Sequence, residues 1–85
     1  MMLKIERILE SGKTRLHLSG ELRSTDIEEV RAEIERISPR VVLDLNGVCV
    51  ADIDGVRWLT ACETVGIGVE NCAPYIREWM IQERS

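Results

Sequence analysis

The sequence predicts an α/β domain in the order β-β-α-β-α-β-α, built on a mixed four-stranded sheet. Two patterns carry this. Alternating and continuous apolar runs mark four strands, and between the later ones lie segments whose apolar residues recur every three or four positions. Strands that alternate with helices imply parallel pairs joined by crossovers, and a tight link between the first two strands adds an antiparallel hairpin.

The elements follow in chain order. Leu3, Ile5 and Ile8 mark the first strand, and Glu10-Ser-Gly-Lys13 reads as a turn. Leu16 and Leu18 alternate with Arg15, His17 and Ser19, the pattern of a half-buried second strand close enough to pair as a hairpin. Ser24 or Thr25 is placed to cap a helix, with Asp26, Glu28 and Glu29 at the positive end of its dipole. Ile27, Val30, Ile34 and Ile37 form one apolar stripe on that helix, and Pro39 is expected to end it.

Val41-Val-Leu-Asp-Leu45 reads as a central strand. Asn46-Gly47 follows as a tight turn, with a hairpin returning through Val48, Cys49 and Val50 as the alternative. Residues 51–55 are expected as a loop. Val56, Leu59 and Cys62 suit a short second helix with Trp58 on a neighbouring face, broken by Gly66 and Gly68. Ile67 and Val69, extending to Asn71, fit a last strand. Pro74 opens a final helix with Ile76, Trp79 and Met80 on its apolar face.

Composition bounds the function. At 85 residues the chain makes one domain, spanning residues 1–85, and a domain this small buries only about 60% of its unfolded surface. Apolar residues at 45% and charged residues at 31% suit a soluble globular protein. The net charge of −4 gives no basic footprint for nucleic acid. No apolar run approaches the roughly 18 residues of a membrane span, and the charged start Met1-Met-Leu-Lys-Ile-Glu-Arg is unlike a signal peptide, so the expected location is the cytoplasm. Cys49, Cys62 and Cys72 lack CxxC spacing and sit among apolar neighbours, so they read as small buried hydrophobes.

Most motif-like stretches carry no chemistry. Ser11-Gly-Lys-Thr14 ends like a phosphate-binding loop, but Arg7 stands where the motif needs glycine and a strand follows where it needs a helix. Gly66-Ile-Gly68 is half a dinucleotide fingerprint and precedes a strand instead of following one. His17, the single histidine, reads as a solvent-facing strand residue with no triad spacing and no metal partner. Asp52 and Asp54 have three readings: a helix cap with a solvated neighbour, a charged recognition loop, or a catalytic pair. With no histidine, metal partner or second acid cluster beside them, the chain is not expected to be an enzyme or to hold a cofactor or metal.

Leu18-Ser-Gly-Glu-Leu22, Val41-Val-Leu-Asp-Leu-Asn-Gly-Val48, Ala51-Asp-Ile-Asp-Gly-Val56 and Leu59 together resemble a STAS domain. This family includes bacterial anti-sigma factor antagonists and the cytosolic tails of sulfate transporters. The resemblance spans nearly the whole chain. It implies helices packed mainly on one face of the sheet, no catalysis, and a role in signal transduction and transcription regulation through docking onto an anti-sigma factor kinase or another regulatory protein. In that branch the loop reads Asp-Ser-Ser/Thr-Gly, and the partner phosphorylates the hydroxyl residue before the glycine. Asp52 and Gly55 match the pattern. Ile53 replaces the first hydroxyl residue and Asp54 the phosphoacceptor.

Asp54 supplies a permanent charge where a phosphate would add roughly −1.5 to −2. Asp54 either locks a state resembling the phosphorylated one or serves a different partner that reads a fixed acidic loop, and the implied partner-binding, switch-equivalent residues are Asp52, Ile53, Asp54, Gly55, Val56, Arg57 and Trp58. Trp58 is either an interface anchor or a core residue, while Tyr75 and Trp79 are expected to pack. The second helix looks short for the family, with ten residues between Gly55 and Gly66. The small size leaves room for a homodimer. The alternative function is a small ligand-binding or accessory subunit of a transport complex.

Overall fold

A computed structural model of the chain describes residues 3–37 and 40–84. Pro39 lies outside the described residues, so its expected role in ending a helix does too. Strand β1 (Lys4–Glu10) turns at Gly12, which takes φ 77°, into β2 (Lys13–Leu22). A single 3-10 turn (Ser24–Asp26) leads into helix α1 (Ile27–Arg36). Strand β3 (Val41–Ala51), helix α2 (Ile53–Thr64), strand β4 (Gly68–Glu70) and helix α3 (Pro74–Arg84) complete the chain.

The sheet is mixed and lies in the order β1-β2-β3-β4. β1 pairs antiparallel with β2, and β2–β3 and β3–β4 are parallel, as the alternation of elements implies. Leu16, Leu18, Leu43, Leu45 and Val69 point to one face. There they join Val30 of α1, Val56, Leu59 and Cys62 of α2, and Ile76 and Met80 of α3 in one buried core. The opposite face carries Glu6, Arg15, His17, Asp44 and Glu70. In β2 the period-two rule segregates Leu16 and Leu18 from Arg15 and His17, whereas β1 places Arg7 on the helix face opposite Leu16 and Ile8 on the open face opposite Arg15.

Three local expectations give way. Asn46-Gly47 makes neither a turn nor a hairpin, and β3 runs straight through it to Ala51. The β2–β3 register shifts twice, between the pairs His17–Asp44 and Ser19–Gly47, and between Gly20–Val48 and Glu21–Val50. Each shift leaves one extra residue on β3, so the strand bulges twice. Asn46 donates its N–H to Asp44 Oδ1 at 3.0 Å. Gly47 is glycine because β2 presses on it: a Cβ there would lie 2.4 Å from Ser19 Cβ.

The second correction concerns capping. Neither Ser24 nor Thr25 caps α1 with its side chain. Instead Asp26 Oδ2 accepts the Arg23 N–H at 3.1 Å, and Asp52 Oδ2, from the far end of β3, accepts the Ser24 N–H at 3.0 Å. The third concerns α2, which begins at Ile53, so most of the expected loop is its first turn. It spans 12 residues and closes on Gly66 at φ 94°. Gly66 donates to the Glu63 carbonyl at 3.1 Å and Ile67 to the Cys62 carbonyl at 2.9 Å, a Schellman end.

α3 is tied down by charge as well as by its apolar face. Glu63 of α2 accepts from both Arg77 and Arg84, and Arg77 also donates to the Val69 carbonyl of β4 at 3.2 Å. Arg57 reaches Glu83 at 2.9 Å. Trp79 packs against the core as expected. Tyr75 does not. It is 52% exposed and its hydroxyl donates to the Cys49 carbonyl near the end of β3. Among the described residues, no helix is long and apolar enough to cross a membrane.

Candidate functional site: the start of helix α2

The chain leaves β3 at Ala51 and enters α2 through Asp52, whose extended backbone (φ −92°, ψ 178°) is that of an N-cap. Asp52 Oδ1 accepts the Gly55 N–H at 2.8 Å while Oδ2 accepts the Ser24 N–H at 3.0 Å. One carboxylate thus caps α2 and pins the turn that precedes α1. Partial burial opposes its ionisation. The two N–H donors and the nearby Arg23 charge outweigh that and hold the Asp52 carboxyl below the usual range.

Gly55 sits where α2 meets the end of β2. A Cβ at this position would lie 2.6 Å from the Leu22 carbonyl oxygen, which also accepts the Asp52 N–H at 3.2 Å. The Asp-x-x-Gly spacing therefore has a steric origin: aspartate caps the helix, and glycine three residues on lets the helix touch the strand.

The expected site residues divide by exposure. Ile53, Asp54 and Arg57 face solvent, with Ile53 36% exposed. Asp52 and Trp58 are half-buried. Gly55 and Val56 are buried, so Val56 belongs to the core and not to the surface beside it. Trp58 packs against the core and lines an apolar groove of about 330 Å³ with Ile34 of α1, Ala61 and Cys62 of α2, and Val65 just beyond it.

Residues that periodicity left out complete the surface. Val50 is 39% exposed, and Tyr75 reaches the Cys49 carbonyl beside it. Val50 and Ile53 therefore flank the helix start as exposed apolar groups, with Asp54 and Arg57 as the charges. No short motif signals Val50 or Tyr75. Tyr75 belongs to α3 and is brought to β3 only by the tertiary fold.

The cysteines are unpaired. Burial pushes the Cys62 thiol up to about 11 and raises that of Cys72 as well, so both are poor nucleophiles at neutral pH. Cys49 departs from the expected burial. It is exposed on a bulged segment and its thiol lies 3.8 Å from the Gly20 carbonyl oxygen. His17 Nδ1 lies 3.3 Å from Glu6 Oε1 on the open sheet face. Among the described residues, no cluster of His, Cys, Asp or Glu has the arrangement of a metal site.

Compared with known proteins, the chain matches no family model, and no curated protein sequence matches it.

Proposed function

We propose that this chain is a STAS-like docking module that binds a regulatory protein through the start of α2 and the adjoining end of β3. The observation that carries the proposal is the division of labour at α2. Asp52 and Gly55 are spent on structure, the one by its two hydrogen bonds and the other by its contact with Leu22, whereas Ile53 and Asp54 between them are exposed. A rigid helix start that presents two adjacent unconstrained side chains, one apolar and one charged, suits recognition. The resemblance read from the sequence places the family's phosphorylation position at the exposed one of two acids, Asp54. Its charge is fixed, so docking here is constitutive and is not released by a serine kinase.

The acid-base alternative is weaker on the same geometry. A general base needs a carboxylate free to take a proton near neutral pH, and both oxygens of Asp52 already accept N–H donors that favour the ionised form. The accessory-subunit alternative has one observation in its favour, the apolar groove beside Trp58.

Affinity capture from the native cell extract, run with the wild type and with Asp54→Arg and Asp54→Ser, tests the proposal. A partner held by the wild type and lost with Asp54→Arg, in a variant whose circular dichroism is unchanged, supports docking. Retention of the partner by Asp54→Arg counts against it. Native mass spectrometry of the purified chain separates the alternative, because a co-purifying lipid or nucleotide would favour ligand carriage.

A further inference from the structure

The two edges of the sheet are unlike each other. β4 is a three-residue edge followed by Asn71 in a left-handed conformation (φ 57°), and short, kinked edges resist strand addition. β1 is a seven-residue edge with no proline, and its ladder with β2 runs without a register shift. All of its residues except Ile5 are exposed, and Leu9 is 81% exposed. The outward amides and carbonyls of such a strand form a template for another strand.

We propose that β1 pairs antiparallel with β1 of a second copy of this chain, joining two sheets into one of eight strands about a two-fold axis. The charge pattern selects both the occupant and the register. A two-fold normal to the sheet requires opposed residue numbers to sum to an even value, so that the apolar faces stay on one side. Centred on Arg7, Lys4 opposes Glu10 of the copy and Glu10 opposes Lys4, on the open face. Ile5 opposes Leu9 and Leu9 opposes Ile5, on the helix face. That pairing covers the most exposed apolar side chain of β1 with a residue that already packs against the core.

The neighbouring registers are worse. Centring on Ile8 sets Glu6 against Glu10, and centring on Glu6 sets that residue against itself. Like charges directly opposed across a ladder are destabilising. The selected register has one like pair, Arg7 with its own copy. Each Arg7 already has Glu33 of α1 at 3.7 Å, so the centre of the interface holds two cations and two anions. Glu10 already accepts from Arg15 at 2.9 Å through Oε2 and has Lys13 Nζ 3.9 Å from Oε1, so Lys4 of the copy would join as a further cation at a carboxylate with about four acceptor sites. The start of α2 lies at the end of β3, two strands in from the joined edge, and stays open. The dimer would present two docking surfaces and so bind a repeated partner with avidity. It does not depend on the docking reading, since the sheet edge exists whatever the start of α2 binds.

Sedimentation equilibrium of the full chain, up to about 1 mM, tests the dimer. The wild type is expected to dimerise. Lys4→Glu and Glu10→Lys should each weaken self-association roughly ten-fold or more by opposing like charges at two symmetric places. Mixed one to one, the two variants should recover a dimer, because each opposed pair of positions 4 and 10 then holds one glutamate and one lysine. Leu9→Lys alters a side chain already in solvent and should also abolish the dimer, which covers the case in which Glu10→Lys loses Arg15 and fails to fold. A wild type that stays monomeric throughout overturns the proposal. So do a Leu9→Lys variant that dimerises like the wild type and a mixture of two folded charge variants that stays monomeric.

Discussion

Asp52→Ala should destabilise the chain more than an ordinary helix-cap deletion. Its carboxylate serves two structures at once: Oδ1 takes the Gly55 N–H of α2 at 2.8 Å, and Oδ2 takes the Ser24 N–H ahead of α1 at 3.0 Å. Removing an N-cap acceptor typically costs about 1 kcal/mol. Losing the second, charge-assisted bond adds roughly another 1–2 kcal/mol, at the lower end because Ser24 is exposed and water can replace the acceptor. The expected loss is therefore about 2–3 kcal/mol, equivalent to a fall in Tm of roughly 10 °C or more for a domain of this size. Urea unfolding followed by circular dichroism measures it. Asp52→Asn keeps one carbonyl oxygen for Gly55 but turns an amide group toward the Ser24 N–H, so it should fall between wild type and alanine. Amide exchange adds a local readout, since Ser24 and Gly55 should lose protection together although Ser24 lies 28 positions from the carboxylate that holds it. An Asp52→Ala loss below about 0.5 kcal/mol, or lost protection at Gly55 alone, would refute the two-bond account.

Other substitutions follow from the same geometry. Gly47→Ala must force Ser19 and β3 apart, since the new methyl would sit 2.4 Å from Ser19 Cβ, and should cost about 1–3 kcal/mol, whereas Gly68→Ala meets only Val42 at an ordinary 3.6 Å and should be tolerated. Paired denaturation curves would show whether the two glycines differ in this way. Leu59→Ala, at a fully buried position between α2 and the sheet, should cost about 2–5 kcal/mol by thermal unfolding. Asp44 is buried, which opposes its ionisation, but Asn71 and the Asn46 N–H donate to it and His17 and Arg15 lie near, so its carboxyl is held low. Its contribution to stability is present above the unfolded carboxyl value of about 3.9 and is lost as pH falls through the lower folded value. Stability measured from pH 6 down to pH 2 should therefore decline less steeply in Asp44→Asn than in the wild type.

The architecture was legible because it rests on periodicity. Leu16 and Leu18 alternate into the core, Val30 anchors the α1 stripe, and Ile76 and Met80 reach the core one helical turn apart. The local misreadings share one cause, which is that a long-range contact decided what a short motif meant. Asn46-Gly47 has the composition of a turn, yet Gly47 is there because Ser19, on another strand, leaves no room for a side chain. Ser24 and Thr25 have the composition of a cap, yet the acceptor comes from Asp52. At the candidate site, Asp52 as the cap of the second helix was within reach of local reasoning. The burial of Val56, the exposure of Cys49 and the placing of Tyr75 over the end of β3 were not, because each depends on how α2 and α3 dock.

The central claim is that the start of α2 is a binding surface. Hydrogen exchange on the chain with and without its captured partner tests this most directly. The account predicts that partner-dependent protection concentrates at residues 49–58 and around Tyr75, and that Asp54→Arg removes it. Protection confined to the groove beside Trp58, to β1 or to the open sheet face, with residues 49–58 unchanged, would contradict it.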